Sequence, residues 1–522
     1  MQTEGRFPEG MTIYGSMPGM GTPELPVPDG LVLRPFRGVR FAVEDPAKVT
    51  SPPYDLISDA DVDVLLQLHP NNVVRLILPR TPRPDPAHAL PVTHTLPADE
   101  ELSPETRYAE ARDTLQAWLH AGILVPDDRP ALYVYEQHGP HFLQRGLIGD
   151  VALTDPGQHV ILPHEDVMPG PIADRLALMS TTQANLEPIF LLYDGAGGPT
   201  TRLVEEVATR RRPLVSAKTE DGVTHSLWAI TDTSEIATVN ADLHDRQALI
   251  ADGHHRYATY RVLQRQERLA HPPAEPSPTP SDTAPGGMES GNAAPASAVF
   301  SSSAARPGGA AAGPAPAHPS PADGPHQPPP TTLVAPWDFG LALLVDSTAY
   351  PPDLKAIHRV IPGLPLAKAA AQARQSWRVQ EFGTLAEGLA AFENSPDPAF
   401  LLADEAGAYL ISDPDPVQLA RAMPADHSDR WNSLNTSILS EFILPNVWGM
   451  RDDEQAVRIV HHDIEAAAKL ATSTDGTAVI LKPLATDDVL VVAAGGERVP
   501  RKSTSFGPKP RTGLVLRTFA IN

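Results

Sequence analysis

The densest group of reactive side chains in this 522-residue chain is Ile250-Ala-Asp-Gly-His-His-Arg-Tyr257. An acid, a glycine, two histidines and an arginine in consecutive positions suit phosphate chemistry, each for its own reason. Gly253 lets an anion approach the backbone, and a helix beginning there would point its first N–H groups and its positive dipole end at that anion. Arg256 offers a planar fork of donors to phosphate oxygens, and His254 and His255 can donate or neutralise. Asp252 can hold Mg2+ or orient a histidine. The other reading of this segment is an Asp-Gly turn followed by a solvated His-His-Arg helix start.

A second cluster is Pro163-His164-Glu165-Asp166-Val-Met-Pro169, followed by Asp174-Arg175. Glu165 is a candidate general base if packing raises its pKa towards neutrality, and His164 or Arg175 could set that environment. The alternative is an exposed acidic turn that caps a helix. Pro500 to Gly513 concentrates Arg501, Lys502, Lys509 and Arg511 with the hydroxyls of Ser503, Thr504 and Ser505. That combination suits an anionic ligand, or is a solvated basic loop. In Ser51-Pro-Pro-Tyr-Asp55 two prolines fix the backbone, so Tyr54 and Asp55 are either rigidly presented to a substrate or part of a stiff turn. His461-His462-Asp463 is expected on an amphipathic helix, where adjacent histidines point apart, and reads as surface or packing rather than a metal site. The chain has no Gly-Lys pair, Gly-x-Gly-x-x-Gly, His-Glu-x-x-His or Gly-x-Ser-x-Gly, so P-loop, Rossmann, zincin and α/β-hydrolase readings lose their main support.

These residues need elements to hold them. Ala248-Leu-Ile-Ala is a short buried run ending at Asp252-Gly253, and Tyr257 to Leu269 has helical spacing, which gives strand, glycine turn and helix start. Asp174 to Met179 and Tyr108 to Leu119 also read as helix. Ala131–Glu136, Leu147–Leu153, Pro188–Tyr193 and His225–Ile230 are β-branched or aromatic runs bounded by turn residues, hence strands. Further on, Leu341–Val345, Ala478–Leu481 and Val489–Val492 are expected strands, and Asp453–Leu470 an expected helix. The class is α/β, with α+β as the alternative, built on mixed sheets.

The stretch His271 to Pro330 holds 16 prolines and a single aromatic, Phe300. Too little apolar surface is available there to offset the ordering of its backbone, so residues 271–332 are expected to be a disordered Pro/Ala/Ser/Gly-rich insertion. Residues 1–30 read as a shorter disordered extension. Two α/β blocks remain, 31–270 with the His-Glu and Asp-Gly-His-His-Arg motifs and 333–522 with the basic Lys-Ser-Thr loop. The net charge of −23 disfavours non-specific attraction to nucleic acid or anionic membrane. The absence of cysteine excludes disulfides, thiolate metal sites and a cysteine nucleophile. The opening MQTEGRFPEG lacks the basic and apolar regions of a signal peptide, and no apolar run is long enough to span a bilayer, so a cytoplasmic location is expected.

The order of motifs resembles the bacterial and archaeal family catalogued as domain of unknown function 1015, across nearly all of 31–270 and 331–522. The resemblance rests on Arg34-Pro-Phe-Arg37, Ser51-Pro-Pro-Tyr-Asp55, His69-Pro-Asn-Asn72, His164-Glu165 with Asp174-Arg175, Ala251-Asp-Gly-His-His-Arg256, Ile357-His-Arg359 and Lys502-Ser-Thr504 with Pro508-Lys509. The pair of motifs around Glu165 and Asp252 is also similar to those of the free serine kinases of the ParB and sulfiredoxin-like superfamily, which implies such a core in the first block. That similarity implies Glu165 as the base for a substrate hydroxyl and Asp252 as a Mg2+ ligand. It implies His254, His255 and Arg256 as stabilisers of the transferring phosphoryl group. Gly253, Arg175, Lys502, Ser503, Thr504 and Lys509 would then bind nucleotide phosphates, and Tyr54, Asp55 and His164 the acceptor. The implied activity is phosphoryl transfer from ATP or ADP to a small hydroxylated metabolite, free L-serine first, with Mg2+ as cofactor and no nucleic-acid or membrane partner. A ParB-like nucleotide-binding regulator or NTPase, and a non-catalytic adaptor, are the alternatives.

Overall fold

Strand formation in this chain follows its buried apolar runs. Ile189–Tyr193, Ala248–Asp252 and Phe339–Asp346 are apolar at nearly every position, and Leu132–His138 and Leu143–Ala152 are buried along most of their length although each carries three polar residues, the pattern of strands covered on both faces. The computed structural model describes residues 25–80, 104–272, 335–453 and 455–522. Most of the expected N-terminal extension 1–30 and nearly all of the expected insertion 271–332 lie outside the described residues.

These strands form a nine-stranded mixed sheet. Its spatial order is Ile161–Leu162, Ala248–Asp252, Ile189–Tyr193, Phe339–Asp346, Leu143–Ala152, Leu132–His138, Thr224–Ile230 and Val215–Lys218, with Leu33–Arg34 also pairing with Leu143–Ala152. The pairing of Phe339–Asp346 with Ile189–Tyr193 is parallel, in the register Leu343 opposite Phe190. Residues from both sides of the Pro-rich insertion therefore share one sheet. Alternate side chains separate into two cores. Leu132, Val134, Leu191, Ile250 and Leu344 pack on one face, and Tyr133, Phe190, Leu249, Leu343 and Val345 on the other.

A six-stranded sheet follows, in the order Arg378–Phe382, Ala408–Ser412, Phe400–Ala403, Thr477–Ile480, Ile357–Ile361 and Arg458–His461. It too is covered on both faces, by one cluster around Trp377, Phe400 and Phe442 and another around Phe392, Leu401 and Ala467. The class is mixed α/β, as expected. Among the described residues no helix is long and apolar enough to cross a membrane.

Two sequence expectations change. The helix expected over Asp453–Leu470 is an edge strand, Arg458–His461, followed by a helix, Ile464–Ser473. His462 breaks the run with a φ of 44°, and Asp463 caps the helix by accepting from the Ala466 amide. The strand expected at Val489–Val492 is the helix Thr486–Ala494. Val489, Val492 and Ala493 are buried while Val491 is exposed, a helical spacing, and Asp487 and Asp488 suit the positive end of the dipole.

Candidate functional site

The two motifs meet because their strands are neighbours. Ile161–Leu162 pairs in parallel with Ala248–Asp252, Leu162 opposite Leu249. Three residues beyond Leu162 stands Glu165, and three beyond Leu249 stands Asp252, so both leave the sheet at the same end. Ends of parallel strands are where α/β proteins gather their sites. Gly253 turns the chain with a φ of 94°, and a Cβ there would lie 3.0 Å from Ile189 Cγ2 and 3.1 Å from Arg256 Nε. Only glycine serves at this corner, from which the helix His254–Ala270 starts.

The helix's first turn braces the loop that carries Glu165. His254 Nε2 accepts the His164 amide at 3.3 Å, and His255 Nε2 accepts the Met168 amide at 3.0 Å. His254 Nδ1 lies 3.8 Å from Glu165 Oε2. Burial holds His254 far below its ordinary pKa, aided by the neighbouring His164 and His255. Burial and the Lys502 charge also lower His255. These histidines are neutral acceptors of backbone N–H groups, not the cations expected for phosphate neutralisation, because the site desolvates them.

Glu165 is partly exposed, its side chain 24% accessible. Thr504 Oγ1 donates to its Oε1 at 2.8 Å, and His164 Nε2 lies 2.8 Å from the same hydroxyl. Burial raises the Glu165 pKa and the Asp252 charge adds to the rise, while Thr504 and Lys502 pull the other way. His164, expected to touch substrate, is fully buried instead. Its ring stacks edge-on against His254 and Phe506, and burial and the Arg498 charge lower its pKa to about 3.

Asp252 has both oxygens engaged. Arg256 Nη2 is 2.5 Å from Oδ2, and Lys509 Nζ is 2.6 Å from Oδ1. Lys509 Nζ is also 2.6 Å from Asp55 Oδ2. Burial works against both ions of that second pair, yet Lys509 ends with a raised pKa and Asp55 with a lowered one, because the charges of Asp252 and Asp55 on the lysine, and those of Lys509 and Arg256 on Asp55, together with their hydrogen bonds outweigh it. Arg256, expected to offer a free fork to phosphate, is turned inward, its other outer nitrogen donating to the Pro188 carbonyl at 2.7 Å. Behind it, Tyr54 lies under Arg256 and Arg175, and burial raises its hydroxyl to about 12. Arg175 donates to the Ile77 carbonyl and pairs with Asp174, so it too is committed.

In the basic loop, Lys502 is exposed with a φ of 54°, and no carboxylate pairs with its ammonium among the described residues. Ser503 is buried and donates to the Pro500 carbonyl at 2.6 Å, so its hydroxyl is spent on the turn. Arg501 pairs with Asp452, and Arg511 donates to Thr50. The accessible side chains of the site therefore include Asp55, Glu165, Lys502, Thr504 and Lys509, with half-buried His255 beside the Gly253 corner.

A protein-held Mg2+ does not fit this donor set. Asp252, the expected ligand, has its two oxygens in ion pairs with Arg256 and Lys509, and Asp55 is joined to the same lysine. Among the described residues no group of three or more histidine or carboxylate side chains could hold a metal ion.

Sequence reasoning missed Glu187, Arg359 and Arg498 as site residues. Glu187 is buried between Arg175 and Arg256, accepts the Tyr54 amide at 3.0 Å, and is raised by burial against the pull of both arginines. Arg359, from the six-stranded sheet, donates to the carbonyls of Arg501 at 2.7 Å and Lys502 at 3.0 Å. Arg498 donates to the Pro163 carbonyl at 2.5 Å, next to the Glu165 loop. Arg359 sits in the Ile357-His-Arg359 motif, which marks it without giving it a role. Glu187 and Arg498 carry no such signal.

Residues 33–282 match the profile of a family described as a protein of unknown function, DUF1015. No curated protein matches the chain. Among solved structures, SbnI with C-terminal truncation from Staphylococcus aureus is similar at 9% identity and a TM-score of 0.32, over 72% of this chain and 88% of that one. A mutant free serine kinase in complex with AMP is similar at 11% identity and a TM-score of 0.30, over 72% of this chain and 94% of that one. Another mutant of a free serine kinase, in complex with ADP, gives the same 11%, 0.30, 72% and 94%.

Proposed function

We propose that this chain, matched to that family over residues 33–282, is a phosphotransferase that moves a nucleotide phosphoryl group to the hydroxyl of a small metabolite. The observation that carries the reading is the position of Glu165. A carboxyl of raised pKa, held by Thr504 at 2.8 Å, stands at the same sheet end as the Asp252–Gly253 corner, with Lys509 joined to Asp252 and Lys502 beside it. A base poised towards neutrality next to fixed positive charge is what transfer to a hydroxyl requires.

In this reading Glu165 takes the acceptor's hydroxyl proton as the oxygen forms its bond to the terminal phosphorus. The bond from that phosphorus to the bridging oxygen breaks, and the nucleotide leaves one phosphate shorter, ATP as ADP or ADP as AMP. Lys502 and Lys509 meet the charge on the phosphoryl oxygens, and the Gly253 backbone allows close approach. Thr504 orients the Glu165 carboxylate by donating to it. No step is assigned to a protein-held metal. A divalent ion accompanying the nucleotide is counted with the substrate.

Free L-serine is the first acceptor to test, from the resemblance of the two motifs to the free serine kinases. The full chain is incubated with ATP or ADP, Mg2+ and a panel of hydroxy amino acids, and phosphorylated product is read by 31P NMR. Phosphoserine or another phosphorylated acceptor supports the reading. Nucleotide turnover that leaves every acceptor unmodified assigns hydrolysis instead, and no turnover at all removes the enzyme reading.

A further inference from the structure

The geometry points to Lys509 as the resident cation of this site, occupying between Asp55 and Asp252 the place that a divalent cation would otherwise take. Two carboxylates from remote segments, Asp55 in the Pro-Pro-Tyr-Asp turn and Asp252 at the end of a buried strand, converge on one Nζ at 2.6 Å each. Asp252's second oxygen is held by Arg256, so two carboxylates face two cations and the corner is electrically balanced. A divalent ion entering there must first displace the ammonium. One or two carboxylates with water and phosphate oxygens are the usual protein share of a Mg2+ site, which is the set that Lys509 covers.

The lysine is held in place from both sides along the chain. Ser505–Gly507 pairs antiparallel with Asp353–Lys355, Gln137 Nε2 donates to the Pro508 carbonyl, and the Arg511 amide donates to the Tyr135 hydroxyl at 3.1 Å. An ammonium has three N–H donors, and the two carboxylates take two of them. The third is left for a phosphate oxygen, so a phosphate-bearing ligand meets a lysine rather than a protein-held metal. This last clause rests on the phosphotransferase reading, whereas the assignment of Lys509 as resident cation concerns the ligand-free chain and does not.

The test uses the full chain without nucleotide and Mn2+ as the probe, read by electron paramagnetic resonance. Wild type and Lys509→Arg are expected to leave Mn2+ free. Lys509→Ala uncovers the two carboxylates and is expected to gain one site binding Mn2+ at least about tenfold more tightly than wild type, a gain that Asp55→Asn in the same chain removes. Stoichiometric Mn2+ binding by wild type, or a folded Lys509→Ala chain that gains no site, overturns the assignment. Should Lys509→Ala not fold, wild type and Lys509→Arg decide it alone: Mn2+ left free by both supports it, and a tight site in either overturns it. A second arm measures ADP binding by calorimetry in Mg2+ and in EDTA. Affinities within about threefold of each other support the phosphate clause, and a loss of tenfold or more on chelation overturns it. No ADP binding in either condition overturns the nucleotide reading and leaves the Mn2+ result standing.

Discussion

Thr504 Oγ1 donates to Glu165 Oε1 at 2.8 Å across 339 residues of sequence, which ties the basic loop to the acidic one. The bond has a definite electrostatic sign, since it favours the ionised carboxylate that burial disfavours. In the proposed reaction Glu165 is therefore a base whose readiness depends on a residue far along the chain.

Replacing Glu165 by Gln removes the proton acceptor while keeping its shape. The expected loss in kcat is about 10²–10⁴-fold, with nucleotide affinity largely retained. Steady-state kinetics with the acceptor identified by the product assay checks this, and an unchanged kcat contradicts it.

The acid limb of the pH–rate profile should lie above the ordinary glutamate value of 4.5, because the Glu165 pKa is raised. Thr504→Val removes a hydrogen bond that lowers that pKa, so the limb should move to still higher pH. A limb that stays in place, or moves down, contradicts the role given to Thr504.

Arg359 holds the Arg501 and Lys502 carbonyls from the other sheet, which in the proposed reaction makes it a positioning residue. Arg359→Met should raise the KM for nucleotide by about tenfold or more with a smaller change in kcat, since the loop and not the base is disturbed. Arg359→Lys should restore part of the affinity. A fall in kcat at constant KM would place Arg359 elsewhere in the mechanism.

Arg256 is predicted to act chiefly in folding. Truncation to Ala leaves Asp252 and Glu187 without their shared buried cation, at a cost of about 3–5 kcal/mol. Urea unfolding measures it, and a stability change below about 1 kcal/mol would return Arg256 to the phosphate.

Stability should fall as the pH drops from 7 to 5. His164, His225 and His358 have folded pKa values of about 3, 4 and 4 against 6.5 unfolded, and His254 is lowered too. Below 6.5 the unfolded chain binds protons that the folded chain refuses, so each such histidine costs about 1.4 kcal/mol per pH unit. The raised carboxyls of Glu165 and Glu187 act with the opposite sign, gaining protons in the folded state, and begin to offset the histidines as the pH nears their own pKa. A urea midpoint unchanged between pH 7 and pH 5 contradicts the neutral-histidine picture. His164→Gln should flatten the dependence.

The pairing of Glu165 with Asp252 came from the resemblance of their two motifs; the short run Ile161–Leu162, whose parallel pairing with Ala248–Asp252 carries both to one sheet end, gave no strand signal of its own. The corner at Gly253 was legible because strand, glycine and helix start are local signals. What could not be read was how each nitrogen is spent. Arg256, His254 and His255 are types that suit phosphate, yet their partners are Pro188, Asp252 and the amides of His164 and Met168, set by packing between remote segments. Glu187 carried no signal, because a buried acid is recognised by the arginines that surround it in space. The helix at Thr486–Ala494 was hidden by a run of β-branched residues whose burial, not composition, reveals its period.

The central claim is that Glu165 faces an acceptor hydroxyl beside a phosphate held at Gly253, Lys502 and Lys509. A crystal structure of the full chain with nucleotide and L-serine tests it most directly. The account predicts the terminal phosphate between the two lysine ammonium groups and the acceptor hydroxyl about 2.6–3.2 Å from a Glu165 carboxylate oxygen. Phosphates bound away from Gly253, with Glu165 facing only solvent, would contradict it.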